Sequence, residues 1–335
     1  MIGRLLFRPA DCSFDLTYIP GKVHGFAQAA NPMIETILQN VINALQWGSF
    51  YALIALGYTL VYGVLKLINF AHGDVFMVGA YIAFFVATFL LGLAGMPGWV
   101  ALALTIPLTM ILTSAVGVTL ERIAYRPLRR KGANRLYVVI TALMCGLILE
   151  HANLALLGAS RKAFPPLIEE TVYKIGNVAF TNLKLGVIFA AFAVFAFLHW
   201  VVTKTRVGMA MRAISYDKFA VPLMGIPLDQ IIVVTFVLGS GFAGLAGLLF
   251  AMSYPVLEPY MGALIGWKAF IAAVVGGIGD IRGAFLGGFL LGAVEILVVA
   301  VFPSSYRDLF SFSVLLLILV FKPTGLFGIA KTTKI

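Results

Sequence analysis

Residues 68–92 read INFAHGDVFMVGAYIAFFVATFLLG and decide the fold class. The run from Val75 to Gly92 contains no charged residue, whereas its beginning carries Asn69, His72 and Asp74. A helix rises about 1.5 Å per residue, so roughly 20 apolar residues cross a hydrocarbon core of about 30 Å. This stretch therefore predicts a membrane-spanning helix that starts with polar groups.

Eight further apolar runs extend this prediction along the chain. Together with the first they cover residues 41–65, 68–92, 99–120, 136–157, 185–202, 230–252, 264–278, 284–302 and 309–321. Of the 335 residues 61% are hydrophobic and 11% are charged, whereas soluble domains carry about 25% charged residues. We therefore predict an all-α, polytopic integral membrane helical bundle of roughly eight to ten spans with glycine-rich broken helices. The composition excludes a soluble enzyme, and continuous apolar runs disfavour a β-barrel.

The distribution of charge divides the chain and predicts its orientation. Residues 1–34 form an N-terminal extension without a signal-peptide pattern, residues 35–328 a transmembrane domain, and residues 329–335 a basic tail. Basic residues concentrate in 121–135, in 203–229 and in the tail, which places all three on the cytoplasmic side. The whole chain has 24 Lys and Arg against 14 Asp and Glu, an excess that suits anionic lipid headgroups. The aromatic residues do not interleave with the basic clusters, so we expect no nucleic-acid partner.

The mixed loop 158–184 is expected on the opposite face. Its segment 172–180 has short apolar stretches on both sides of Gly176-Asn177, which predicts a small β-hairpin. Such a cap is either a docking surface for a soluble partner or an ordinary loop.

Two glycine-rich breaks interrupt the spans. The first contains Asn69, His72, Gly73 and Asp74; the second contains Gly276, Gly277, Gly279 and Asp280. Broken helices at membrane depth are tolerated where protein or a water-filled cavity satisfies the backbone, and transporters use them to line their pathways. We predict that these eight residues border a translocation pathway, as structural organisers or transient ligands. The similar outline of the breaks suggests an internal repeat.

Isolated charges also occur inside the spans. Glu150 is expected to make an interhelical hydrogen bond or to line a pathway, and Glu295 to face the protein interior. Lys66 and Lys268, near span ends, are expected to extend their ammonium groups towards water. We find no catalytic triad motif, no His-Glu-x-x-His pair, no P-loop and no metal-ligand spacing. No catalytic or metal-binding residue is therefore predicted.

The cytoplasmic loop 203–229 contains TRVGMAMRAISYDKFAVPLMGIP at residues 205–227. This segment predicts a short amphipathic helix, with Arg206 and Arg212 on it and a stop near Gly225. Such a helix either docks in a groove of a soluble partner or lies flat on anionic lipid.

The loop resembles the ATPase-coupling segment of ABC importer permeases at Ala213, Ala220, Gly225 and Ile226. Residues 69–74, 276–288 and 322–328 resemble the permease subunit of the high-affinity branched-chain amino-acid (leucine/isoleucine/valine) transporter family. The resemblance extends from about Asn40 to Gly328. It implies that the coupling loop acts through Arg206, Gly208, Arg212, Ala213, Ala220, Gly225 and Ile226.

The resemblance also implies partners and a location. These are a second homologous permease subunit, two ABC ATPase subunits that bind the ATP, and an extracytoplasmic solute-binding protein, in a bacterial cytoplasmic (inner) membrane. The chain itself would need no cofactor and would not be an enzyme. Three alternatives stay open: a permease for urea, short amides or another small polar solute; an ion-coupled secondary transporter using Glu150, Glu295 and Asp280; and an intramembrane enzyme, for which no nucleophile–base pair is present.

Overall fold

The computed structural model describes residues 32–328, which form a helical bundle. The predicted tail at 329–335 and residues 1–31 of the predicted extension lie outside this range. The helices are α1 Pro32–Leu65, α2 His72–Thr88, α3 Gly98–Leu120, α4 Arg126–Arg130, α5 Arg135–Leu157, α6 Asn182–Lys204, α7 Arg206–Tyr216, α8 Ala220–Leu223, α9 Leu228–Ser253, α10 Met261–Gly276, α11 Ile281–Val301 and α12 Arg307–Phe321. Single π-helical segments follow α2 (Phe89–Leu93) and α3 (Glu121–Tyr125).

The predicted spans are confirmed as helices. Within residues 32–328, eight helical segments are long and apolar enough to cross a membrane, and α10 is a shorter apolar helix of 16 residues. The described part of the chain therefore supports up to nine crossings, inside the predicted range of eight to ten.

The basic segment after α3 differs from its prediction as a loop. The helix continues through the π-helical segment and α4 as far as Arg130. The carboxylate of Glu121, fully buried, pairs with Arg126 at 3.0 Å and with Arg129 at 3.1 Å. Because Glu121 neutralises these two arginines within the helix, their charges do not require a solvent-exposed loop. The basic composition alone therefore predicted a loop where the helix continues.

Ion pairs and the hairpin show which segments share a face. Arg130 pairs with Asp229 at 2.8 Å and joins the first basic segment to the start of α9, next to α7 and α8. At the other end of the bundle, β2 (Val172–Ile175) and β3 (Val178–Thr181) form the predicted hairpin, with Gly176 at φ 63°. The side chain of Asn177 donates a hydrogen bond to Glu35 at 2.6 Å. The start of α1 thus lies on the hairpin side, opposite the basic segments.

Two two-residue strands complete the hairpin face. Strand β1 (Lys162–Ala163) pairs antiparallel with β4 (Val256–Leu257). This pairing joins the connection after α5 to the connection after α9.

Helix α11 packs directly on α1 because small residues face each other. A Cβ atom at Gly288 would lie 2.5 Å from the backbone of Ala52, and one at Gly292 would lie 2.4 Å from the backbone nitrogen of Gly48. Small residues allow this close approach in membranes, where helix association depends on van der Waals contact.

A buried charge network joins α1, α10, α11 and α12. Glu295 is fully buried and pairs with Lys268 at 3.0 Å and with Arg307 at 3.1 Å. Tyr51 donates a hydrogen bond to the same carboxylate at 2.7 Å, and Asp308 pairs with Lys268 at 2.6 Å. The prediction that Lys268 extends towards water is therefore wrong. Its ammonium group is held inside by two carboxylates, which offset its desolvation.

We expect the Glu295→Ala substitution to destabilise the fold by about 3–5 kcal/mol, because it leaves the buried Lys268 and the half-buried Arg307 without their shared anion. Thermal unfolding of the detergent-purified chain measures this. The matched control is Glu258→Ala, which removes an exposed ion pair with Arg161 and should change stability by about 0–1 kcal/mol. Equal effects of the two substitutions would contradict a stabilising role of the network.

Candidate functional site: a transmembrane cavity and a cytoplasmic surface

The first glycine-rich break connects α1 to α2 through residues 66–71. Lys66 has φ 56°, a left-handed conformation that ends α1. Asn69 organises the break: its backbone carbonyl accepts a hydrogen bond from the His72 amide at 3.1 Å. Its side-chain oxygen accepts one from the Tyr125 hydroxyl at 2.6 Å. The predicted residue Asn69 thus fixes the break to the π-helical segment after α3.

His72 occupies a packing position behind the break. Its side chain is fully buried, and its ring lies 4.9 Å from that of Tyr58 in an edge-to-face arrangement. A Cβ atom at Gly57 would lie 2.1 Å from His72 Nε2, so the imidazole fills space that only glycine leaves free. His72 is therefore separated from the cavity that its neighbours line.

A cavity of about 300 Å³ lies between α2, α5 and α10. Two carboxylates line it, Asp74 from α2 and Glu150 from α5. Their residues are 7% and 9% exposed. Among residues 32–328 neither carboxylate has a basic partner within ion-pair distance, and Asp74 Oδ1 has no hydrogen-bond partner.

Glycines bring the three helix backbones close to Asp74. A Cβ atom at Gly146 of α5 would lie 2.4 Å from Asp74 Oδ2, and one at Gly262 of α10 would lie 3.0 Å from Asp74 Oδ1. Gly73, a predicted pathway residue, faces Gly266 so closely that an added Cβ atom would lie 2.7 Å from its Cα. The carboxylate is thus held between α5 and α10 with no room for other side chains at these contacts.

Aromatic and apolar side chains form the rest of the cavity wall. The rings of Phe70 and Trp267 are 5.4 Å apart, and Tyr58 adds a third aromatic group. Leu143, Met144 and Leu147 of α5 line the cavity while remaining exposed on the outside of the chain. The cavity therefore adjoins the lateral face formed by α5 and α10.

The second break lies elsewhere. Gly277 and Gly279 have φ values of 111° and 101°, and Asp280 caps α11 by accepting a hydrogen bond from the Arg282 amide at 2.8 Å. The amide of Phe327 donates to the Gly276 carbonyl at 2.9 Å. The 276–280 break is thus joined to the 322–328 motif by backbone hydrogen bonds. Gly276, Gly277, Gly279 and Asp280 do not line the Asp74 cavity.

The predicted coupling loop forms α7, α8 and a turn. Gly208 packs tightly on α6, since a Cβ atom there would lie 2.2 Å from the Val201 carbonyl. The Arg212 guanidinium donates to the Val202 carbonyl, and Gly225 forms the turn with φ 78°. Ala213 and Ile226 pack against the core, Ala220 is half-buried and Arg206 is exposed.

Exposed apolar residues on this surface were missed by the sequence prediction. Tyr216 is 96% exposed and Leu223 is 89% exposed, with Phe219 and Met224 beside them in the chain. Met211, Ile214 and Val221 form the opposite, buried side. The amphipathic spacing predicts apolar side chains on one face of this segment, but spacing alone does not decide which of them are exposed. We call Tyr216, Phe219, Leu223 and Met224 the cytoplasmic apolar patch, after the side of the membrane that the sequence predicts for this segment.

A polytopic bundle with a broken helix, a carboxylate-lined cavity and an exposed cytoplasmic apolar patch defines a membrane permease. The sequence profile described as "Branched-chain amino acid transport system / permease component" matches residues 40–319. The chain therefore belongs to the family of branched-chain amino acid transport system permease components, and it is an integral protein of the cytoplasmic membrane.

Individual relatives agree with this family. The high-affinity branched-chain amino acid transport system permease protein BraD of Pseudomonas aeruginosa is 41% identical over 310 residues, covering 91% of this chain and 100% of the relative. The corresponding protein LivH of Escherichia coli is 37% identical over 303 residues, covering 89% and 97%. A probable branched-chain amino acid transport permease protein LivH of Methanocaldococcus jannaschii is 28% identical and covers 85% and 91%.

We expect the Tyr125→Phe substitution to destabilise the fold by about 1–3 kcal/mol, because it leaves the buried Asn69 oxygen without its donor. Thermal unfolding in detergent measures the change. Tyr173→Phe, in the exposed hairpin, is the control and should leave the unfolding temperature unchanged. An unchanged temperature for both variants would show that the break does not depend on this hydrogen bond.

Proposed function

We propose that this chain is the membrane-spanning permease subunit of an ATP-driven importer of branched-chain amino acids, with ATP hydrolysed by separate subunits. The observation that carries the proposal is the match to BraD along that relative's whole length at 41% identity. The described fold supports it with a broken membrane helix, a cavity at that helix and an exposed patch on the cytoplasmic face.

The proposed assembly contains a second homologous permease subunit, two ABC ATPase subunits and an extracytoplasmic solute-binding protein. The α5–α10 face, with its cavity, suits the second permease chain. The β2–β3 hairpin suits the binding protein because it caps the opposite end of the bundle from the basic segments. The chain would carry no cofactor, since ATP would be held by the partner subunits.

The cytoplasmic apolar patch is the proposed contact with the ATPase subunits. An exposed apolar helix face fits a groove of a soluble partner, and the side chains are presented by α7 and α8. Only Thr205 separates α7 from α6, and the Arg212–Val202 hydrogen bond joins the two helices again. A displacement of α7 by nucleotide-driven closure would therefore move α6 with it.

Transport would then follow from alternation between two arrangements of the bundle. The ATPase subunits bias the equilibrium only through contacts that differ between the arrangements. Within the pathway, Asp74 and Gly73 border the cavity, whereas Asn69 and His72 hold the break in place. Gly276, Gly277, Gly279 and Asp280 would act as organisers of the cytoplasmic end.

The combined substitution Tyr216→Ser/Leu223→Ser should weaken ATPase binding, because it removes two exposed apolar anchors. At about 2 kcal/mol for each anchor, the dissociation constant should rise by roughly a hundredfold to a thousandfold. Binding of the purified ATPase to the permease pair in nanodiscs measures this. Ile175→Ser, at an exposed apolar position of the hairpin on the other end of the bundle, is the control. Unchanged binding would favour a helix that rests on lipid.

The Gly225→Val substitution should uncouple ATP hydrolysis from uptake. A β-branched residue is strained at φ 78°, so valine should displace the turn after α8. Uptake per ATP hydrolysed should fall several-fold in proteoliposomes. Gly225→Asn is the matched control, since asparagine tolerates this conformation. Normal coupling in the valine variant at normal assembly would rule out a role of the turn in transmission.

Uptake by the reconstituted complex tests the substrate and the energy source. Labelled leucine should accumulate only with ATP, the ATPase subunits and the binding protein. Labelled urea should not accumulate, and a preference for urea would favour the short-amide alternative. Leucine accumulation by this chain alone, driven by a proton or sodium gradient, would identify an ion-coupled carrier and overturn the proposal.

A further inference from the structure

We infer that the cavity between α2, α5 and α10 recognises a primary ammonium group, with Asp74 and Glu150 as its carboxylate partners. The inference rests on the proposed function, because the ammonium group would be that of the transported amino acid. It identifies the feature of the substrate that the permease itself contacts.

The four buried carboxylates of residues 32–328 fall into two classes. Glu121 and Glu295 each pair with two basic side chains. Asp74 and Glu150 are nearly as buried, yet neither has a basic partner in the described range. A buried charge without a partner is unfavourable, and acidic side chains inside membranes mark substrate or ion pathways. The cation that pairs with Asp74 and Glu150 is therefore one that binds transiently during transport.

The space beside the pair suits a small organic cation. The cavity of about 300 Å³ lies at the lower end of the range for small-molecule sites, roughly 300–1,000 Å³. Asp74 lines this space, and its buried Oδ1 has no hydrogen-bond partner. At Gly146 and Gly262 a Cβ atom would lie 2.4 Å and 3.0 Å from the Asp74 carboxylate oxygens, so side chains at these two positions would crowd the carboxylate.

The cavity wall matches the rest of an apolar amino acid. Phe70 and Trp267 present aromatic rings, which attract cations and pack against apolar groups. Leu143, Met144 and Leu147 add an aliphatic surface. The lining contains no Lys, Arg or His, so the substrate carboxylate would point away from the pair, towards the lateral face. A neutral urea or amide would leave both carboxylates unpaired.

The first experiment compares uptake with ATP hydrolysis in the reconstituted complex. In the double variant Asp74→Asn/Glu150→Gln, leucine uptake should fall at least tenfold, while the ATPase activity stimulated by loaded binding protein stays within about twofold. Glu169→Gln, an exposed acid of the hairpin-side loop, is the control. Uptake within twofold of the unmodified chain overturns the inference, and so does an equal loss of uptake and stimulated ATPase activity.

A second measurement reads the charge of the cavity without transport. In a chain with Cys12→Ser and Cys145→Ala, Leu147→Cys provides a thiol on the cavity wall, and Ile140→Cys provides one elsewhere on α5. Within the assembled complex, an aminoethyl methanethiosulfonate should modify Cys at 147 at least tenfold faster than the sulfonatoethyl reagent. The double variant should reduce this preference to the ratio seen at 140.

The outcomes separate the two proposals. A rate ratio at 147 equal to that at 140 in the otherwise unaltered complex overturns the ammonium site, because it shows that protons or a partner-chain cation neutralise the pair. Leucine uptake by that same complex would still support the proposed function. Absence of leucine uptake with all partners present would instead overturn the proposed function, whatever the rate ratio.

Discussion

Compensation of buried charge is the constraint on which the rest of the structure depends. Glu295 is surrounded by Lys268, Arg307 and the Tyr51 hydroxyl, and this network connects four helices. Glu121 with Arg126 and Arg129 extends α3 to Arg130 in the same way. In a medium of low dielectric constant such neutralisation decides where a helix can continue and which helices meet. Asp74 and Glu150 differ from Glu121 and Glu295 because no basic side chain of the described residues pairs with them.

Close backbone contact creates that cavity. Helices α2, α5 and α10 meet at glycines, so Asp74 lies between backbones instead of between side chains. The break before α2 places the carboxylate on the third residue of a helix whose start is fixed by Asn69 and Tyr125. The broken helix therefore positions a charge inside the bundle, while the larger apolar side chains of α5 form the cavity wall next to the lateral face.

At the end of the bundle that carries α7, motifs that are distant in sequence form one unit. The 276–280 break and the 322–328 motif are joined by backbone hydrogen bonds, and Asp280 caps the helix that packs on α1. On the same side, α7 is held to α6 and presents the cytoplasmic apolar patch. A force applied at this patch would therefore reach the long helices through short, rigid connections.

The sequence by itself determined the spans, the two breaks, the hairpin at 172–181 and the shared face of the basic segments. These features depend on local composition and on turn residues such as Gly176. Only the tertiary structure decided that Lys268 is buried, that Glu121 continues a helix, that Asp280 lies away from Asp74 and that Glu150 faces the same cavity as Asp74. Pairing between side chains on different helices depends on helix rotation and close approach, and no local pattern encodes either.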